Sequence, residues 1–127
     1  VPAIQVGDQI STSGQLPLIS GSLPMTGLVG DQISQEDAAG QARVAALNAL
    51  AAAADVACGV NNIRRVVRVV VYVASAADFT AQPAVANGAS ELFGEIFGVA
   101  GRHIRSAIGV ASLPLGAPVK VELTVQV

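Results

Sequence analysis

The sequence contains no tryptophan, one tyrosine, three phenylalanines, one histidine and one cysteine among 127 residues. A lone Cys58 excludes an internal disulfide framework and any multi-cysteine metal site, agrees with a reducing compartment, and is expected as a free, mostly buried thiol. A single His103 leaves no histidine pair at metal-ligand spacing. With aromatics at 3%, the interior must be built from Val, Ala, Leu and Ile. Charge is scarce too: 13% of residues are charged, about half the usual share for a globular domain. Apolar surface left over on a chain of this size drives association, so the deficit predicts subunit interfaces. The net charge of −2 gives no general attraction to phosphate backbones and argues against nucleic-acid binding. No run reaches the roughly 18 apolar residues of a membrane span, and no charged n-region precedes an apolar core at the start. A cytoplasmic protein is expected, with room for a further segment ahead of Val1.

The 127 residues suit one domain, 1–127. Ala3 to Val6 and Gln9 to Ser13 read as a hairpin about a Gly7-Asp8 turn. Glycines and prolines from Gly14 to Gly30 mark a long connection, with one short strand near Met25. Ser34 followed by Glu36 and Asp37 predicts a helix start, because the hydroxyl can accept a backbone N–H and the acids sit at the positive end of the dipole. That helix runs to about Ala57, with Val44, Leu47, Leu50 and Ala54 as its buried stripe and Gln41, Asn48 and Asp55 off it. Gly59 is expected to close it in a left-handed cap.

Ile63 to Ser75 is a valine-rich strand with unlike faces. Val67, Val69, Val71 and Val73 are expected under helices, while Val66, Arg68, Val70 and Tyr72 meet something partly polar, such as another subunit. A second helix follows Asp78, with Pro83 in its first turn and Val85, Ala89, Leu92, Phe93 and Ile96 as its apolar stripe, ending at Gly98 to Gly101. Ile104 to Ala111 and Val119 to Val127 are the last two strands, joined by Leu113 to Pro118. The order β-β-α-β-α-β-β implies an α+β, two-layer fold: a mixed sheet with both helices on one face.

No phosphate-binding loop and no dinucleotide fingerprint occurs in the chain. What stands out is Arg105 at the start of one β-prone run and Glu122 in the next. A guanidinium presents a rigid donor fork to a carboxylate, and a nearby glutamate can hold or move a proton. An ion pair without chemistry would use the same two residues. Arg64, Arg65 and Arg68 read as a solvated cluster or as partners of acids across an interface, and less readily as a nucleic-acid patch.

One spaced set carries more: Ser13-Gly14-Gln15-Leu16-Pro17, Asn87, Arg105-Ser106, Leu113-Pro114 and Val119-Lys120-Val121-Glu122. Along the whole chain this set resembles the Rid family of reactive-intermediate (enamine/imine) deaminases, also called the YjgF family and historically described as L-PSP endoribonucleases. The resemblance implies a chorismate-mutase-like α+β fold, a homotrimer with active sites in the clefts between subunits, and no cofactor or metal. It implies that Arg105 grips a substrate carboxylate and Glu122 positions the hydrolytic water, with Ser13 and Asn87 lining the same cleft; on chemical grounds, backbone groups near Ala107 can complete the polar shell. The implied ligands are small 2-imino acids, hydrolysed to 2-oxo acids and ammonia. Two other readings stay open: a non-catalytic carboxylate-binding or chaperone-like trimer, and an RNA-cleaving translation inhibitor, which the acidic balance opposes. Ala107 stands where the family often has cysteine, and the Leu113 to Pro118 turn is longer than usual, which marks a divergent branch.

Overall fold

Seven regular elements organise the chain in the computed structural model, which describes all 127 residues. They are β1 (Ala3–Val6), β2 (Gln9–Thr12), α1 (Gln35–Ala57), β3 (Arg65–Ala74), α2 (Gln82–Phe97), β4 (Ile104–Val110) and β5 (Val119–Gln126). The order matches the expectation. In the sheet the strands lie as β1-β2-β5-β3-β4. β3 and β4 run parallel and are joined through α2, whereas β1–β2, β2–β5 and β3–β5 are antiparallel. This is the two-layer α+β arrangement, with β1 and β4 as free edges.

The alternation of β5 shows how the layers divide. Val119, Val121, Leu123 and Val125 are buried with the helix alanines in one core cluster, while Lys120, Glu122, Thr124 and Gln126 between them look out from the helix-free face. β3 departs from simple alternation. Its register against β5 shifts between Val66 and Arg68, so Val67 is an extra residue. The bulge puts both Val66 and Val69 into the core and leaves Val67 only half-buried, correcting the face assignment for the start of this strand. From Val69 onward the expected parity holds. Val70 is covered yet lies outside the core cluster, on the side of Arg68 and Tyr72.

Ser34 caps α1 as predicted, its Oγ accepting from the Asp37 N–H at 3.1 Å. The buried stripe of α1 coincides with the expected one only at Leu50. Ala38, Ala42, Ala45, Ala46, Ala49 and Ala53 face the sheet, Gln41 is buried among them, and Leu47 is exposed. Both stripes have helical spacing. The alanine side wins because methyl groups let the helix axis approach the valine layer closely, which the larger Val44–Leu47 side cannot do without voids elsewhere. The C-terminal cap also shifts by one residue: Cys58 takes the left-handed conformation (φ 61°, ψ 34°), and its side chain is exposed instead of buried.

α2 buries Val85, Ala86, Ala89, Leu92 and Phe93, while Ile96 is exposed, not part of the stripe. The helices cross at Gly88, where an added Cβ would fall on the Ala39 carbonyl. The long connection contains no strand near Met25; its order comes from side-chain and bridge contacts. Asn48 Nδ2 donates to the Leu16 and Leu18 carbonyls at 2.9 and 3.0 Å, and Val29 bridges to Ser75.

Candidate functional site

Arg105 is the second residue of β4 and lies opposite Val69, a core residue, so its side chain leaves the sheet on the helix side. Because β4 is an edge strand, the guanidinium is not covered. It runs along α2, where Nη1 donates to Asn87 Oδ1 at 2.8 Å and to Ser90 Oγ at 3.2 Å. Asn87 and Ser90 are three residues apart and share a helix face, which is what lets one nitrogen reach both. Nη2 and Nε have no acceptor in the chain. Half of the donor fork is therefore held by protein while the other half stays available for a carboxylate.

Ser90 extends the network to His103. The Gly101 carbonyl can only accept, so Nδ1–H of His103 donates to it at 2.6 Å, and in the neutral imidazole Nε2 is left to accept from the Ser90 hydroxyl at 2.9 Å. Ser90 thus accepts from Arg105 and donates to His103. The imidazole also packs edge-on against Phe93, with centroids 5.9 Å apart and planes at 87°. Beside this network opens a cleft of about 570 Å³ lined by Ser90, Arg102, His103 and Arg105 together with Gly94, Val99 and neighbouring glycines. Ala107, two residues beyond Arg105, lies on the same face opposite Val71 and packs partly buried against the core.

Glu122 lies elsewhere. It sits opposite Val70 in β5, between the inward-facing Val121 and Leu123, and so projects from the helix-free face. Its neighbours there are Tyr72 and Lys120, a cross-strand pair in which Nζ stands 5.2 Å from the ring centroid. The Tyr72 phenol is raised above its ordinary value, first by burial, then by the negative charge and hydrogen bonding of Glu122, with Arg68 opposing. Ser13 and Gly14 border this group. A Cβ on Gly14 would strike the Lys120 stem, and the Gln15 backbone pairs both ways with Val121. Ser13 Oγ donates to the Pro2 carbonyl at 3.3 Å and accepts from Gln15 Nε2 at 3.1 Å.

The structure therefore brings Arg105, Asn87 and Ala107 together on one face and sets Glu122 and Ser13 on the other. Arg105 and Glu122 form no ion pair within the chain, whose one salt bridge joins Arg43 to Glu95 at 2.7 Å. Ser90 and Tyr72 were not singled out as site residues by sequence reasoning, and His103 was noticed without a role. The signals were present: Ser90 follows Asn87 at helical spacing, and His103 precedes Arg105 by two residues.

Residues 1–127 match the family model described as "YjgF/chorismate mutase-like, putative endoribonuclease". The chain belongs to this YjgF family. It is 40% identical over 121 residues to Protein TCP17 of Trypanosoma cruzi, covering 94% of this chain and 76% of that protein. Among solved structures, the protein Atu1372 of Agrobacterium tumefaciens, of unknown function, superposes with a TM-score of 0.97 at 40% identity, over 100% of this chain and 82% of that one. The YjgF gene product of E. coli gives 0.70 at 26% identity, over 99% and 86%. The chain is thus far closer in shape to the Agrobacterium protein than to E. coli YjgF.

Proposed function

We propose that residues 1–127 act as one Rid-type domain that hydrolyses 2-imino acids and their enamine tautomers to 2-oxo acids and ammonia. The chain works without a cofactor, as a homotrimer with its sites between copies. The observation that carries this reading is the half-satisfied Arg105 fork on one face of the sheet and Glu122 on the other. Neither half can complete a site alone. A second copy that lays its helix-free face against the β4 edge supplies the missing glutamate, and the low charge content supports such an interface.

In the assembled cleft, Nη2 and Nε of Arg105 bind the substrate carboxylate and fix the plane of the adjacent C=N group. Asn87 and Ser90 hold the guanidinium while it does so. Glu122 of the neighbouring copy orients a water toward the imine carbon and accepts its proton as the C–O bond forms. That proton passes to the imine nitrogen to give a carbinolamine; Glu122 then takes the carbinolamine hydroxyl proton and delivers it to the amino nitrogen, so that the C–N bond breaks as the C=O bond forms and ammonia leaves with the 2-oxo acid. An imine is already electrophilic, so anchoring, one aimed water and one proton shuttle are enough.

The test is ammonia release from freshly generated 2-iminopropanoate and bulkier imino acids, with sedimentation run in parallel. A trimer that releases ammonia, and whose Arg105→Ala variant remains trimeric but loses the rate, is the expected result. A stable monomer at micromolar concentration, or undiminished rates in trimeric Arg105→Ala, refutes it. Binding of 2-oxo acids without turnover would make the cleft a carboxylate-binding site.

A further inference from the structure

Five of the seven basic residues gather at one end of the sheet: Arg64, Arg65 and Arg68 on and before β3, Arg102 and Arg105 around the start of β4. None of the five is in a salt bridge; Arg43 alone is paired, with Glu95. Arg102 lines the same 570 Å³ cleft as Arg105, and it also lines an adjoining cleft of about 470 Å³ with Arg65 and Ile104. Arg65 Nη2 donates to the Arg102 carbonyl at 3.0 Å, fastening a further guanidinium beside that backbone. No acidic residue lines either cleft. In a chain of net charge −2, this is a local concentration of uncompensated positive charge.

The glycines around the cleft point the same way. Gly94 lies within α2, where glycine costs a helix roughly 0.5–1 kcal/mol relative to alanine, yet a Cβ there would meet nothing in the chain. Gly98 is equally unobstructed, although its positive φ of 60° calls for glycine on its own account. The space above Gly94 is kept open toward the arginines by a residue that the fold itself does not require.

We infer that the ligand of this cleft carries a second anionic group, a carboxylate or a phosphate, bound by Arg102 while Arg105 holds the 2-carboxylate. The inference rests on the reading of Arg105 as the carboxylate anchor. A monoanion neutralises one guanidinium and leaves the other facing the same space, whereas a dianion of four or five carbons compensates both. Arg102 lies three positions before Arg105, roughly 10 Å away at Cα in extended chain, so the two side chains start on opposite sides of the backbone; at the uncovered β4 edge both nevertheless line one cleft, and their length lets them close on such an acid. The substrate class is then 2-imino acids with an acidic side chain rather than the small neutral ones.

Calorimetric titration of the trimer with 2-oxobutanoate, 2-oxoglutarate and a phosphonate-bearing 2-oxo acid tests this. The dianions should bind about 10- to 100-fold more tightly than 2-oxobutanoate, the range for one added charge-assisted hydrogen-bonded contact. The tighter of the two dianions identifies the second group. Arg102→Ala, at an exposed position, should bring the dianion-to-monoanion ratio close to one, whereas Arg64→Ala, which lines neither cleft, should preserve it. Equal affinities in the wild type, or a ratio that survives Arg102→Ala, overturn the inference while Arg105-dependent binding of 2-oxobutanoate leaves the deaminase reading standing. If no 2-oxo acid binds, or binding does not need Arg105, both fall together.

Discussion

Mixing two inactive variants should restore activity by a calculable amount. Arg105→Ala removes the carboxylate anchor, and truncating one side of a buried charge-assisted contact costs about 2–5 kcal/mol, leaving at most roughly 3% of the rate. Glu122→Gln keeps the shape but removes the proton acceptor. Arg105 and Glu122 leave opposite faces of the sheet, so in the proposed trimer each site takes its arginine from one copy and its glutamate from the next. Around a closed ring of three, any mixed trimer contains one junction at which an intact arginine meets an intact glutamate, and two at which at least one is missing. Co-expression with two different tags and sequential purification on both should therefore yield trimers with about one third of wild-type turnover, roughly tenfold above the leakier parent. Ammonia release, normalised to trimer concentration by sedimentation, is the assay. Mixed trimers no more active than either parent would refute a site shared between copies. They would return the chemistry, if any, to one chain, where these two residues cannot meet.

Three further outcomes follow from named contacts. Gly88→Ala should destabilise the fold by about 1–3 kcal/mol in urea titration, because the new methyl group meets the Ala39 carbonyl and the helices must separate; an unchanged midpoint would contradict the close crossing. Tyr72 is the one tyrosine in the chain, so its ionisation is directly readable by ultraviolet absorbance. It should titrate above the usual value near 10, and Glu122→Gln should lower it part of the way, since burial remains the larger cause. With the folded pKa raised, its contribution to stability is intact below about pH 10 and declines as pH rises through the folded value, a decline that Tyr72→Phe should remove. Ser90→Ala should raise KM for the imino acid up to about tenfold with a smaller effect on kcat, and Ser90→Thr should restore it. Loss of the Nε2 hydrogen bond should appear in the His103 ring nitrogen shifts; a variant with normal KM and unaltered His103 signals would remove Ser90 from the positioning network.

Much of the architecture was legible because it is local. The Gly7-Asp8 hairpin, the Ser34 cap, the proline in the first turn of α2 and the period-two runs of β4 and β5 each depend on residues within a few positions of one another. The misread details are those in which two local solutions were nearly equal. α1 offers an alanine stripe and a leucine-valine stripe at the same helical period, and hydrophobicity favours the second. The first, with Leu50 as its one large apolar member, is buried because methyl groups let most of the helix lie close to its neighbours, a fact about the adjoining layer. Likewise, Cys58 and Gly59 could each take the left-handed cap, and glycine is intrinsically the better candidate.

The composition and spacing of residues alone determined that this chain would form a small-residue core, lack the means for a cysteine-rich metal site or a disulfide framework, and carry the spaced set, Arg105 and Glu122 included, by which it resembles the Rid family. Tertiary structure decided where those two side chains point. The face taken by a strand residue depends on register against its neighbours, and register is a relation between segments far apart in sequence: Arg105 is set by Val69 in β3, and Glu122 by Val70. One step along β3 separates those two partners, and that single step puts the Arg105 guanidinium and the Glu122 carboxylate on opposite sides of the sheet.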